Sequence, residues 1–257
     1  MEKVCIIGLG AVGYPTAMYI HQQGFTTIGY DIIDKNTNEF QSFTKWEDVP
    51  SNVDVYTITV NTDWKNGKPD ISAVLDVSKK IANKNKHALV AIESTVPVGT
   101  CRTISNEYNL KNLVHVPHRY WASDPINYGV RQNRVIGAIN EGSLKNGLAF
   151  YNQLKIPLQL CPTIETAEMS KISENAYRYI QVAFAESLAL ICKENNISFE
   201  ELRKATNTKW NVEIFEARDG ISGCLPLSIE YLRWMKKGKA PMLDGAISTD
   251  EIYKKQV

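Results

Sequence analysis

The sequence carries no excess of charge of either sign. Lysine and arginine number 29 and aspartate and glutamate 28, a formal net charge of +1 over 257 residues. No unbalanced field therefore draws the chain to nucleic acid or to an anionic membrane surface, and the partners expected are small molecules or protein. Also missing is any apolar run approaching the length that crosses a bilayer. The opening MEKVCIIGLG passes straight into a strand pattern, without a charged n-region or a cleavage site, so the chain reads as cytoplasmic. Cysteine is sparse: Cys5, Cys101, Cys161, Cys192 and Cys224 are odd in number, scattered and free of any CxxC pair. That excludes a disulfide framework and predicts no metal site. Internal repeats, low-complexity tracts and proline-rich linkers are absent too, so domain boundaries must come from pattern. The length suffices for one large domain or two smaller ones.

What is present is periodic order. The most regular stretch, residues 163–196, predicts one long helix. Apolar residues recur there at Met169, Ile172, Ala176, Ile180, Ala183, Phe184, Leu188 and Ile191, the spacing that stacks side chains on one face. Thr166 is the expected N-cap, Glu165 and Glu168 lie near the positive end of the helix dipole, and Lys193 lies near the negative end. On a second stripe Lys171, Asn175 and Arg178 follow at four and three residues, so their polar groups project one way. This stripe is either a solvated face or part of a site.

Nearer the start, a strand at residues 3–8 leads into Gly8-Leu9-Gly10-Ala11-Val12-Gly13 and a helix over 14–23. A GxGxxG spacing between strand and helix is the phosphate-binding pattern of dinucleotide-binding units. Gly8 allows the tight turn, Gly10 lets the backbone approach a pyrophosphate, and Gly13 lets helix and strand meet closely. The amides around Ala11 and Val12, at the helix start, face the phosphates. A second strand, 26–30, ends at Asp31. A carboxylate there bonds the ribose diol and repels a 2′-phosphate, which favours NAD over NADP. The bland alternative is a glycine turn with a surface aspartate.

Short β-branched runs follow at 53–60, 88–93, 113–116 and 134–139, separated by helix-length segments. The pattern predicts an α/β fold, a doubly wound parallel Rossmann sheet over residues 1–162, followed by a smaller helical domain built on the long helix over 163–257. Ligands of such sheets bind at the carboxyl ends of the strands, which directs attention to Asn61-Thr62-Asp63, to 93–100 and to Pro117-His118-Arg119. Thr62 and Thr95 either face cofactor or substrate or cap helices. Beyond Cys224 the pattern gives one more helix, 228–237, and then a tail containing glycine and proline.

The stretches GLGAVGYPTA, GYDIID, NGKPDIS, ESTVPVGT, NRVIGA, AEMSKISENAYR and SGCLPLS follow one another across nearly the whole chain. Together they resemble the UDP-glucose/GDP-mannose dehydrogenase family, nearest to its UDP-N-acetylmannosamine dehydrogenase branch. The most specific are ESTVPVGT and the helix with Lys171 and Asn175, followed by Gly223-Cys224-Leu225-Pro226. The resemblance implies an enzyme that oxidises the C6 primary alcohol of a nucleotide sugar to a carboxylate with two NAD, through a cysteine thioester. It implies that Cys224 is the nucleophile, Lys171 the cation beside the reacting oxygen and Asn175 a donor near it. It also implies a homodimer through the long helix, whose apolar face is broader than one small domain needs.

The residue types suit that chemistry. Cysteine is the most nucleophilic common side chain near neutrality, and each stage places negative charge on one oxygen, which an ammonium and an amide fixed on a helix stabilise without reorganising. Departures stand beside the likeness. Ser228 replaces an aspartate four residues after the cysteine. His118 replaces the glutamate of a Pro-Glu-Arg triplet and is either a base or a filler. Asp219 and Ile221 occupy a loop richer in glycine in the family. The stretch after Cys224 is too short for the family's third domain, which grips the nucleotide, so a smaller substrate or a second chain is expected to compensate. Two other readings stay open: a one-hydride 3-hydroxyacid dehydrogenase, which needs no cysteine, and a non-catalytic NAD-binding subunit.

Overall fold

The computed structural model describes residues 2–218 and 220–256; Asp219 of the loop before Cys224 lies outside the described residues. Two compact units emerge, one of Met1–Lys65 and Pro69–Lys171, the other of Ile172–Val257 with Asn66–Lys68.

The first unit grows from β1 (Lys3–Ile7), whose five residues are apolar after the first lysine. Alternation along the strand sends Cys5 and Ile7 into one core and Val4 and Ile6 into another, so the strand is buried on both faces, as parallel sheets are. The other strands are β2 (Thr26–Tyr30), β3 (Gln41–Phe43), β4 (Val55–Ile58), β5 (Asp63–Lys65), β6 (Lys68–Asp70), β7 (Leu89–Ile92), β8 (Leu113–His115), β9 (Arg134–Ala138) and β10 (Leu158–Leu160). Eight of them form one sheet in the order β10-β9-β8-β7-β4-β1-β2-β3. Ile7 pairs with Tyr30 on one side and with Ile58 on the other, so the three central strands end level and their loops leave at one edge. Helices cover both faces. Ala17 and Ile20 of α1 (Gly13–Gln22) and Phe150 and Tyr151 of α4 (Glu141–Gln153) line one core. Val74, Val77 and Ile81 of α2 (Ser72–Asn85) and Ile104 of α3 (Thr100–Glu107) line the other.

The doubly wound, mostly parallel sheet is as expected, with two features added. β9 pairs antiparallel with β8, Val114 opposite Ala138, and carries β10 with it in parallel. Between β8 and β9 the chain makes only a five-residue helical turn, Ile126–Val130, not the full crossover that a parallel neighbour requires. Strands β5 and β6 form a separate hairpin across Asn66 and Gly67, at φ 54° and 71°. Both residues tolerate positive φ, which a two-residue hairpin turn of this hand demands.

The long helix is α5 (Ile164–Glu194, 31 residues). Its N-cap is Thr163, not Thr166: the Thr163 hydroxyl accepts from the Thr166 amide at 3.1 Å. Gly137 of β9 lets the helix start in, because a Cβ there would lie 2.6 Å from the Ile164 Cα. Glu168 does not serve its own helix dipole. It is fully buried and accepts from the amides of Gly99 and Cys101 at 2.6 and 2.7 Å, filling the start of α3, where Gly99 has no side chain to do so. The expected apolar stripe divides. Ile172, Ala176 and Ala183 are buried, whereas Met169, Phe184 and Ile191 are exposed.

The second unit joins the rest of α5 to α6 (Phe199–Thr206), α7 (Cys224–Lys236) and α8 (Pro241–Lys254). The last of these replaces the expected tail: Pro241 sits at the start of α8, where a missing N–H leaves no bond unmade. Ala176, Tyr179, Val182 and Ala183 of α5 meet Ile221, Ile229 and Ala246 in its core. Within that unit Glu186 is 0% exposed, and neither carboxyl oxygen has a hydrogen-bond partner. Burial first, and Asp250 second, push its pKa up to about 7 from 4.5. Across that interval the folded chain holds a proton the unfolded chain has released, so Glu186 lowers stability as pH rises through it. Glu186→Gln should therefore be more stable than the parent at pH 8 by about 3 kcal/mol, with the gap closing toward pH 5. Thermal unfolding across pH checks this; an equal gap at both ends rules out ionisation as the cause.

Candidate functional site

At the end of β1 the glycine loop is built by overlap and open space. Gly8, at φ 90°, leaves its Cα so close to β4 that a Cβ would stand 3.0 Å from the Thr59 carbonyl carbon. At Gly13 a Cβ would overlap the Gly8 carbonyl oxygen, whereas one at Gly10 would meet nothing within 4 Å. Gly10 thus borders empty space at the start of α1. The N-cap position there is Val12, with no side-chain cap, leaving the first amides of the helix to an anion. Thr59, which sequence reasoning passed over, ties the turn down: its hydroxyl lies 3.0 and 2.7 Å from the carbonyl oxygens of Ile7 and Gly8.

Asp31 follows β2 and closes on the same loop. One carboxyl oxygen accepts from the Leu9 amide at 2.7 Å, the other from the Ile33 amide at 2.9 Å. An ionised carboxylate offers about four acceptor sites, so two bonds leave it capacity for a diol. Ile32 and Ile33 beside it are exposed, an apolar shelf of the kind a base lies on. Loop amides, an open glycine and a carboxylate at the next strand fit a dinucleotide.

Around the ends of β4 and β7, Thr62 and Thr95 meet: the Thr62 hydroxyl donates to the Thr95 carbonyl at 2.8 Å. Thr62 thus staples two neighbouring loops. Glu93, which opens ESTVPVGT, is a buried structural acid. Tyr151 donates to it at 2.7 Å, and Arg134, 0% exposed, stands 2.8 Å away as an ion pair, its N–H off the line to the oxygen. His118 lies in the loop after β8, with its amide on the Glu93 carbonyl at 3.2 Å and its Nε2 3.4 Å from the Thr16 hydroxyl. That hydroxyl donates to the Val12 carbonyl at 2.9 Å, which assigns the ring proton to Nε2 and leaves Nδ1 as a bare acceptor. Burial, then the Arg134 and Lys171 cations, hold His118 well below its usual pKa. The imidazole is neutral at physiological pH, and a base poised near neutrality is not what this environment makes of it.

On α5, Lys171 is the last residue of the first unit, and Asn175 belongs to the second. One turn separates them. Asn175 is buried and donates to the Ser228 hydroxyl at 3.0 Å; Ser228 donates in turn to the Cys224 carbonyl at 3.1 Å. The serine that stands in for an aspartate is therefore a neutral link between Asn175 and the cysteine turn. Cys224 is not in a loop as expected. It opens α7, exposed, after Gly223 at φ 71°, at the helix end that attracts negative charge. Arg178, third on the expected stripe, lies 4.1 Å from the Phe215 ring centroid. Among the described residues no three possible ligands gather to hold a metal ion, and no helix is long and apolar enough to cross a membrane.

A mostly parallel sheet with an uncapped glycine loop on its first strand and an acid after its second defines a dinucleotide-binding protein. Comparison with known sequences is more particular: the chain belongs to the UDP-glucose/GDP-mannose dehydrogenase family. Residues 33–155 match its NAD binding domain and 165–251 its central domain. A UDP-N-acetyl-D-mannosamine dehydrogenase of Methanococcus vannielii is 30% identical over 251 residues, covering 87% of this chain; the chain spans 59% of that relative's length. Among solved structures, UDP-D-ManNAc dehydrogenase of Pyrococcus horikoshii superposes with a TM-score of 0.89 at 25% identity, covering 98% of this chain and 69% of that one. A 3-hydroxyisobutyrate dehydrogenase of Mycobacterium tuberculosis, at 14% identity and a TM-score of 0.72, covers 100% of this chain and 94% of that one. The last is a likeness of fold alone.

Gly13→Ala should lower stability by about 3 kcal/mol, because the added carbon would overlap the Gly8 carbonyl and the Thr59 hydroxyl that ties it down. Gly10→Ala should leave the melting temperature unchanged. Thermal unfolding of the two variants checks the contrast, and equal losses would contradict the open cradle.

Proposed function

We propose that this chain acts as an NAD-dependent 6-dehydrogenase of a nucleotide sugar of the UDP-N-acetylmannosamine class, taking the C6 alcohol to a carboxylate. The observation that carries the reading is the bonded run Asn175–Ser228–Cys224, whose asparagine follows Lys171 on one helix. Bound NAD supplies the hydride acceptor for the oxidations. Gly8, Gly10, Ala11, Val12 and Gly13 bind its phosphates and Asp31 its ribose, while the Thr62–Thr95 staple shapes the loops beside it. The Cys224 sulfur adds to the carbonyl carbon of the aldehyde, and the acyl group it later carries is released by water. Lys171 holds its ammonium against the oxygen on which charge gathers, and Asn175 fixes the turn that presents the sulfur. Ser228 cannot take up a proton as an aspartate does, so proton removal falls to solvent.

The same reading makes the chain a homodimer. Tyr177, Phe184 and Ile191 are exposed at seven-residue steps along α5, the repeat with which a helix meets its copy. Five free cysteines suit the reducing cytoplasm.

With UDP-N-acetylmannosamine or another UDP-sugar, we expect two NADH per acid formed. Cys224→Ala should cut acid formation by about a thousandfold, and Lys171→Met by at least about a hundredfold. NAD should raise the melting temperature more than NADP does. One NADH per substrate would select the 3-hydroxyacid class. Binding of NAD without turnover, over a panel of nucleotide sugars and hydroxy acids, would select a non-catalytic subunit.

A further inference from the structure

The loop before Cys224 is held from an unexpected quarter. Ile221, three residues ahead of the cysteine, is buried in the core of the second unit. Both of its backbone groups are bound by α8. Its amide donates to one oxygen of Asp250 at 2.9 Å, and its carbonyl accepts from the Lys254 ammonium at 3.2 Å. The other oxygen of Asp250 accepts from the Tyr179 hydroxyl at 2.9 Å and from Lys254 at 2.7 Å. Asp250 is 3% exposed, so its bonds to Ile221 and Tyr179 are made out of water, where they are strong and hard to replace, while Lys254 reaches in from the half-exposed side. Gly220 completes the fit, at φ 95° and without a side chain where a Cβ would overlap Lys254.

Tyr179 stands one turn beyond Asn175 on α5. Two successive turns of one helix therefore grip the cysteine turn from both sides, Asn175 through Ser228 after it and Tyr179 through Asp250 and Ile221 before it. We infer that Asp250 is a positioning residue for Cys224: with Tyr179 and Lys254 it fixes the backbone from which the sulfur projects. This rests on Cys224 as the nucleophile. Asp250 touches no reacting atom; it acts through Ile221.

The test uses the full chain and the variants Asp250→Ala, Asp250→Asn and Tyr179→Phe. It measures backbone hydrogen exchange by mass spectrometry and the rate at which iodoacetamide alkylates Cys224. In Asp250→Ala the peptide spanning Ile221 to Cys224 should exchange about tenfold faster and Cys224 alkylation should change by about fivefold or more, while peptides of the glycine loop keep parental rates. Asp250→Asn, which keeps an acceptor for the Ile221 amide, should fall between Asp250→Ala and the parent. Tyr179→Phe, which removes a single hydroxyl, should show a smaller change of the same kind and stands in should Asp250→Ala not fold. Turnover should fall about tenfold in Asp250→Ala with the KM for NAD unchanged. Exchange and alkylation at parental rates in Asp250→Ala would overturn the inference. So would uniform loosening of the second unit with no rescue by Asp250→Asn. Acid formation persisting in Cys224→Ala would instead overturn the proposed function, and would leave the exchange and alkylation results standing.

Discussion

The carboxyl group of Glu168, shut inside the first unit with the amides of Gly99 and Cys101, is the contact on which the arrangement of the helix depends. Two needs meet there. Helix α3 begins after a glycine that has no side chain to bind its first amides, and a buried acid needs donors. Burial pushes the Glu168 pKa up even so, a sign that the two amides offset only part of the cost of removing the group from water. With Gly137 admitting the backbone of Ile164, the start of α5 is fixed in rotation as well as position. Helical periodicity then sets the phase of Lys171, which ends the first unit.

Polar burial recurs wherever the chain must hold a loop. Glu93 with Arg134 and Tyr151 supports the strand ends that carry Thr95 and His118. Asp250 with Tyr179 and Lys254 supports the turn that carries Cys224. Such groups are poor sources of net stability, because desolvation offsets most of the attraction, but removing one partner strands the other. Their effect is to specify one conformation of a loop that apolar contacts alone would leave loose. Glu186 is the exception, a buried acid without donors beside a second acid, and it makes the unit less stable as it ionises. Neutral His118, buried and within the field of the Arg134 and Lys171 cations, follows the same logic from the other side: a charge there would lose its water and add to a field already positive.

Much of this was legible in the residues. The β1 run, GxGxxG and Asp31 gave the phosphate loop, because close backbone approach tolerates only glycine and that requirement is local. The three-four spacing of α5 gave the helix within two residues at each end. Other features were not legible for identifiable reasons. Gly238 and Pro241 read as a tail, although proline begins helices as readily as it ends them. Glu168 read as a dipole partner because its donors, Gly99 and Cys101, are nearly seventy residues away in sequence. The reversal of β9 left no trace in composition, since a strand paired on both sides and buried shows the same apolar residues in either direction.

Sequence by itself determined what is decided within one turn or one strand: the glycine loop, the acid after β2, the helix that carries Lys171 and Asn175, and the likeness to a dehydrogenase family. Tertiary structure alone decided which distant groups share a bond. It joined Asn175 to Ser228, and it held Ile221 with Asp250, a residue from a helix that the sequence did not announce. Propensity and periodicity act over a few residues, whereas the partner of a buried polar group is chosen by whichever segment the fold carries alongside it.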